Sequence, residues 1–381
     1  MKRPSSRSRD GFIPMAAPVM GPQELRYVSD VIKSGWISSE GRYVSEFEKA
    51  FSRYCGVAHG VAVTSGTTAL HLSLAVLGVG PGDEVLIPTL THIAVPNAVK
   101  AVGAVPVPVD SEPFTWNLDP ALLERKISRR TRAVIVVHLY GHPTDMDPVR
   151  RFARKHGLFV VEDAAESHGA QYKGRRTGSL GHLGCFSFYA NKIIATGEGG
   201  MIVTDNARLA RRARKLRDQA YEKKRRFWHR EHGFNYRMTN LQAAVGLAQL
   251  ERIEQFIAAR RRISALYNRL LRGVPGLTPP PAAPWAASTH WMHALLVHKE
   301  FGLSRDRLMA SLRRHGIDSR PFFYPVHLQP LYKKELGAHR CPVAESLSSI
   351  GMNLPTGSRM TEAEVRRIAD TLLTLHRENS R

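Results

Sequence analysis

Seven short apolar runs, at 61–64, 84–87, 105–109, 133–138, 159–163, 185–188 and 200–204, alternate with helix-like segments between Phe51 and about Asp205. No other feature constrains the fold as strongly. Strands whose apolar residues are continuous rather than alternating are buried on both faces, and parallel neighbours need a crossover helix between them. The pattern predicts an α/β fold with a mixed, mostly parallel seven-stranded sheet in a large domain and a smaller C-terminal α/β domain. One long amphipathic helix is expected over 240–271, with Leu241, Val245, Leu250, Ile253, Phe256 and Ile257 on or near one stripe, bridging the two. After a proline-rich stretch at 275–284 come a strand at 291–298, a helix at 305–315 and a closing helix at 361–378, begun by a Thr361-x-x-Glu364 capping box. The expected division is a basic disordered tail at 1–10, a large domain at 11–255 and a small domain at 256–381.

The chemistry sits at strand ends. Lys192 hangs between Ser187 and the turn Gly197-Glu198-Gly199-Gly200, among Phe186, Phe188, Tyr189, Ile193 and Ile194. A lysine condenses with an aldehyde only when its amine can lose a proton near neutrality, and apolar burial favours that loss. Alone, such a lysine is more often a snorkelling surface residue. Asp163 closes the run Leu158-Phe159-Val160-Val161-Glu162-Asp163, 29 positions before Lys192. A carboxylate there could keep a pyridine nitrogen protonated, or simply cap the next helix. The run Val61 to Leu70 passes through Ser65-Gly66-Thr67-Thr68 into a helix, where exposed backbone N–H groups and the Thr67 and Thr68 hydroxyls suit a phosphate.

In this order along the chain, the phosphate turn, the ring-binding acid and the lysine resemble the DegT/DnrJ/EryC1/StrS sugar aminotransferases. These have the aspartate-aminotransferase-like fold type I of enzymes that use pyridoxal 5′-phosphate. The resemblance spans roughly 12–375 and rests on Glu162-Asp163-Ala164-Ala165-Glu166-Ser167-His168-Gly169, Ser187-Phe188-Tyr189-Ala190-Asn191-Lys192 and Gly197-Glu198-Gly199-Gly200. The runs 233–240 and 320–327 are most similar to those of GDP-perosamine synthases, which make a 4-amino sugar from a 4-keto sugar nucleotide. The resemblance implies that Lys192 forms the Schiff base and shuttles the proton, that Asp163 pairs with the pyridinium, and that Glu166 lies near the ring hydroxyl. It further implies that Gly66, Thr67 and Ser187 hold the phosphate, with Asn235 reaching it from a neighbouring subunit, so that a homodimer is required. Arg320, Tyr324 and His327 would lie near the sugar nucleotide, and L-glutamate would be the amino donor. His92 stands where the family usually has an aromatic residue stacked on the cofactor; imidazole offers less area and can change charge near its ordinary pKa of about 6.5. A 3-keto-sugar or keto-octulosonate aminotransferase would share every cofactor residue. A sugar dehydratase of the same family would carry histidine at position 192.

A net charge of +22 raises the alternative of a non-catalytic basic adaptor or nucleic-acid binder. Much of that charge is local, with eleven Lys or Arg residues from Arg208 to Arg230 above Leu209, Ala213, Leu216 and Ala220 at helical spacing. No zinc-finger, RNP-like or basic-zipper pattern accompanies it, so it reads as a solvated helix face, with Arg225, Arg226 and Arg230 available to steer a nucleotide diphosphate. Cys55, Cys185 and Cys341 are far apart and odd in number, which fits a reducing cytoplasm and argues against zinc. The stretch Gly78-Val79-Gly80-Pro81-Gly82 reads as a turn, and His138 to His142 with Asp145 and Asp147 as a loop at an active-site mouth rather than a metal site. His290 and His293 beside Trp291 read as packing. No membrane segment is expected.

Overall fold

A computed structural model describes residues 11–222 and 225–380; the expected tail at 1–10 and the side chain of Arg226 lie outside the described part. Seven strands form the main sheet: β1 (His59–Val63), β2 (Glu84–Pro88), β3 (Val105–Val109), β4 (Thr131–Val137), β5 (Phe159–Asp163), β6 (Leu183–Ser187) and β7 (Gly200–Thr204). Their order is β1-β7-β6-β5-β4-β2-β3. All neighbours are parallel except β7, which runs antiparallel to both β1 and β6. The continuous apolar runs have the expected cause. Along β4, Ala133, Ile135 and Val137 join the core under helix Gly66–Val76, while Val134 and Val136 face helix Met146–His156 on the other side.

The expected single helix at 240–271 is two helices, Asn240–Leu250 and Ile253–Leu270. Tertiary bonds to the first helix, Pro22–Ser34, hold the break. Glu251 accepts from Tyr27 Oη at 2.6 Å, and Arg252, with φ −115° and ψ 7°, pairs with Glu24 at 3.2 Å. The basic stretch also departs from expectation. Its helix ends at Arg217, Ala220 turns with φ 54°, and the chain continues as a hairpin of Tyr221–Glu222 and Arg225–His229.

A second, antiparallel sheet of four strands, Leu277–Thr278, His293–Val297, Gly351–Leu354 and Arg320–Pro321, packs on helices Ile253–Leu270 and Glu362–Asn379. The Thr361 capping box forms as expected: its hydroxyl accepts from the Glu364 amide, and Glu364 accepts from the Thr361 amide. Ile13 bridges to Ile317 and joins this C-terminal core. No helix among the described residues is long and apolar enough to cross a membrane.

Candidate active site

The register of the main sheet aligns the strand ends that carry chemistry. Val137 pairs with Asp163, Asp163 with Cys185, and Ser187 with Gly200, which in turn pairs with Val63 just before the turn at Ser65. Ligands in α/β sheets bind in the crevice outside the carboxyl ends of the strands. Here that crevice is a cavity of about 350 Å³. Gly66, Thr67, His92, Asp163, Glu166, Ser187, Lys192 and Arg320 all line it, so residues far apart in the chain meet at one place.

Lys192 is enclosed. Its Nζ lies 4.0 Å from Glu166 Oε1 and 3.9 Å from the centre of the Trp291 ring. Burial lowers its pKa from the ordinary lysine value, against the pull of the Glu166 and Asp163 carboxylates. Burial also raises Glu166, to about 7, with Lys192 and the Tyr140 amide opposing; that amide donates to Glu166 Oε2 at 2.8 Å. An amine pulled down and a carboxyl pushed up, side by side, are closer in proton affinity than the same groups in water. Asp163 is raised by burial too, and the Ala165 amide donates to its Oδ1 at 3.0 Å. Its neighbour Glu162 plays a structural part. It accepts the amides of Gly178, Leu180 and Gly181 and bonds His138 Nε2 at 3.0 Å.

At the phosphate turn, Ser65 caps helix Gly66–Val76, and its hydroxyl accepts from the Thr68 amide. The Thr68 hydroxyl donates to the Ser65 carbonyl and accepts from the Ser65 amide. That corrects one expectation: Thr68 is committed to the cap, leaving Thr67, exposed toward the cavity, as the hydroxyl free to meet an anion. Gly66 abuts Ser187 so closely that a Cβ would lie 2.7 Å from the serine's Cβ. The turn thus presents bare backbone at a helix N-terminus beside Ser187, a setting that suits the phosphate of pyridoxal phosphate.

His92 lies at the cavity wall with its ring edge-on to Phe323, 5.6 Å between centres. Its Nδ1 accepts from the Ala94 amide, and burial, with Lys192 nearby, lowers its pKa. The expected change of charge near 6.5 therefore moves to lower pH. Tyr324 and His327 do not line the cavity. Tyr324 is exposed, whereas His327 is buried with Nδ1 2.7 Å from Thr89 Oγ1 and Nε2 3.0 Å from Glu345 Oε1. Asn235 also stands outside its own chain's cavity, with Oδ1 accepting from Arg237 at 3.0 Å.

Reasoning from the sequence missed Trp291, Phe323 and Asn353, all at the cavity wall. Trp291 enters the sequence reading only as the packing neighbour of His290 and His293. Tyr140, from the loop read as shaping a mouth, does line the cavity and holds a left-handed φ of 52°. In that loop His138 and His142 are bonded within the protein, His142 Nδ1 to the Pro143 carbonyl at 2.9 Å.

Four basic residues of the stretch pair with carboxylates. Lys215 meets Glu222 and Glu231, Arg212 meets Glu231, and Arg214 and Arg217 meet Glu48. Arg225 lies 4.0 Å from the centre of the Trp228 ring, and neither Arg225 nor Arg230 lines the cavity.

Residues 18–373 match the model of the DegT/DnrJ/EryC1/StrS aminotransferase family. The chain is 47% identical over 361 residues to a GDP-perosamine synthase of Caulobacter vibrioides, covering 94% of this chain and 97% of the relative. A GDP-perosamine synthase of Escherichia coli O157:H7 is 40% identical, with 95% and 98% covered. Among solved structures, S. venezuelae DesV in complex with a ketimine intermediate superposes with a TM-score of 0.90 at 38% identity, covering 96% of this chain and 98% of that one.

Proposed function

The chain belongs to the DegT/DnrJ/EryC1/StrS aminotransferase family, and we propose that it moves the amino group of L-glutamate to C4 of GDP-4-keto-6-deoxy-mannose, giving GDP-perosamine and 2-oxoglutarate. One observation carries the reading: a lysine of lowered pKa shares a 350 Å³ cavity with two buried carboxylates and a turn that suits a phosphate, in a chain 47% identical to a GDP-perosamine synthase. Pyridoxal 5′-phosphate supplies an electron sink for the carbon that gains or loses a proton. Around it the chain's residues divide the work. Lys192 would hold the aldehyde carbon and serve as acid and base at C4′ in each half-reaction. Asp163 would keep the ring nitrogen protonated, and Glu166 would lie near the ring hydroxyl.

Gly66 and Thr67 offer the helix N-terminus to the phosphate, and Ser187 adds its hydroxyl. His92 covers one ring face. Arg320 meets the anionic substrate, with Tyr324 at the mouth and His327 acting through Thr89 from behind the wall. Asn235 does not line its own chain's cavity, which supports a homodimer in which it reaches a second copy's phosphate. The division into a large domain to 255 and a small one from 256, and a cytoplasmic setting without nucleic-acid or membrane partners, complete the reading.

The test is spectroscopic and chemical. Purified protein should show a visible imine band that glutamate bleaches. Mass spectrometry on a panel of 4-keto and 3-keto sugar nucleotides should then find the aminated GDP sugar. Lys192→Ala should abolish both the bleaching and the transfer. Turnover by Lys192→Ala at the wild-type rate would refute the lysine's role, and amination of only a 3-keto sugar would overturn the substrate.

A further inference from the structure

Arg260 is the largest fully buried side chain among the described residues, 2% exposed in the middle of helix Ile253–Leu270. A buried guanidinium ordinarily pairs with a carboxylate, because removing a lone charge from water is costly. This one pairs with none among the described residues. It donates instead from Nη1 to two main-chain carbonyls, that of Trp291 at 2.6 Å and that of Thr356 at 2.8 Å, and its Nε finds no partner. Those two carbonyls flank paired strands, since His293 lies opposite Leu354. Thr356 strengthens the same junction by accepting the His293 amide on its hydroxyl at 2.7 Å.

The consequence reaches the lysine. Trp291, held by its carbonyl, turns its ring under Lys192 Nζ at 3.9 Å, and its Nε1–H donates to the carbonyl of Asn191, the residue before that lysine, at 2.9 Å. One buried cation therefore fixes an aromatic face that is bonded to the lysine loop. We propose that Arg260 and Trp291 are positioning residues for the Lys192 amine: the indole face holds the ammonium in place, and the uncompensated guanidinium behind it works against that charge. The inference rests on Lys192 being the reacting amine.

The two effects have opposite signs. A cation over an indole face is stabilised, which favours the protonated amine. A second buried cation disfavours it, and Arg260 acts in that direction on Lys192. The other groups facing the amine are the carboxylates of Glu166 and Asp163, together with His92 and His168. Burial lowers both imidazoles, His168 to about 3, which disfavours a positive charge on either beside the amine. Arg320 lines the same cavity.

The test titrates the amine directly in the full-length chain stripped of cofactor, by the pH dependence of Lys192 modification with trinitrobenzenesulfonate, read by peptide mass spectrometry. Trp291→Leu should lower the midpoint and Arg260→Met should raise it, each by about one pH unit. Arg260→Lys keeps the charge and loses the paired bonds, and should stay near wild type. Trp291→Phe keeps an aromatic face without the Nε1–H and should also stay near wild type. Equal shifts for Arg260→Met and Arg260→Lys would reduce Arg260 to a structural staple, and shifts of the same sign for Trp291→Leu and Arg260→Met would overturn the opposed effects. If Arg260→Met fails to fold, Trp291→Leu against Trp291→Phe still decides the role of the indole. Failure of the aminotransferase reading looks different: the wild-type holoprotein would then show no imine band, whatever these midpoints do.

Discussion

Gly66 touches Ser187 across the mouth of the phosphate turn, and the two residues define the cradle by contact rather than by hydrogen bonding: a Cβ on the glycine would lie 2.7 Å from the serine's Cβ and 3.3 Å from its Cα. The serine atom is the root of a side chain at the end of β6, so it cannot yield as a flexible tip would. Gly66→Ala should push the helix N-terminus away from Ser187 and loosen the anion site. Equilibrium dialysis of pyridoxal phosphate should show binding weakened about tenfold or more, with the melting temperature of the cofactor-free chain falling less than that of the loaded one.

Glu166 should make stability depend on pH in an unusual direction. Its carboxyl titrates near 7 in the folded chain and near 4.5 when unfolded, so between these values the folded state binds more protons. Stability therefore declines as pH rises through that window, and the ionised carboxylate costs up to about 3 kcal/mol above pH 7. Glu166→Gln preserves an acceptor for the Tyr140 amide and removes the titration. Denaturant unfolding of the cofactor-free chain should show the variant gaining on wild type at pH 8 and showing little difference at pH 5; an equal change at both would refute the linkage.

For His92, burial holds the imidazole below the ordinary histidine value, which moves its titration away from the alkaline side of neutrality. His92→Phe should leave the shape of the activity profile unchanged between about pH 7 and about pH 8.5. Its larger face should tighten cofactor binding modestly, by about threefold. A new or lost inflection near pH 7 would show that the imidazole does titrate there.

Thr361 offers a control remote from the chemistry. Thr361→Ala removes the hydroxyl that accepts the Glu364 amide and should destabilise the chain by about 1 kcal/mol in chemical unfolding, with kcat and KM unchanged.

Local pattern was enough for the seven strands of the large sheet, whose apolar runs are unbroken because β4 and its neighbours bury alternate residues on opposite faces. It was enough for the Thr361 cap, which depends on residues three apart. The break at Glu251–Arg252 was not legible, since a continuous apolar stripe predicts one helix. What interrupts it is a pair of bonds to Tyr27 and Glu24, more than 220 positions earlier in the chain.

The site divides along the same line. Sequence by itself determined that a lysine, an acid and a phosphate turn lie at strand ends, because covalent and anion-binding chemistry demands particular residue types in particular local settings. Tertiary structure alone decided that His327 is sealed behind Thr89 and that Trp291 lies beneath Lys192 on a carbonyl held by Arg260. Those are contacts between residues tens to hundreds of positions apart, set by how two sheets and their helices pack. No periodicity in the chain encodes them.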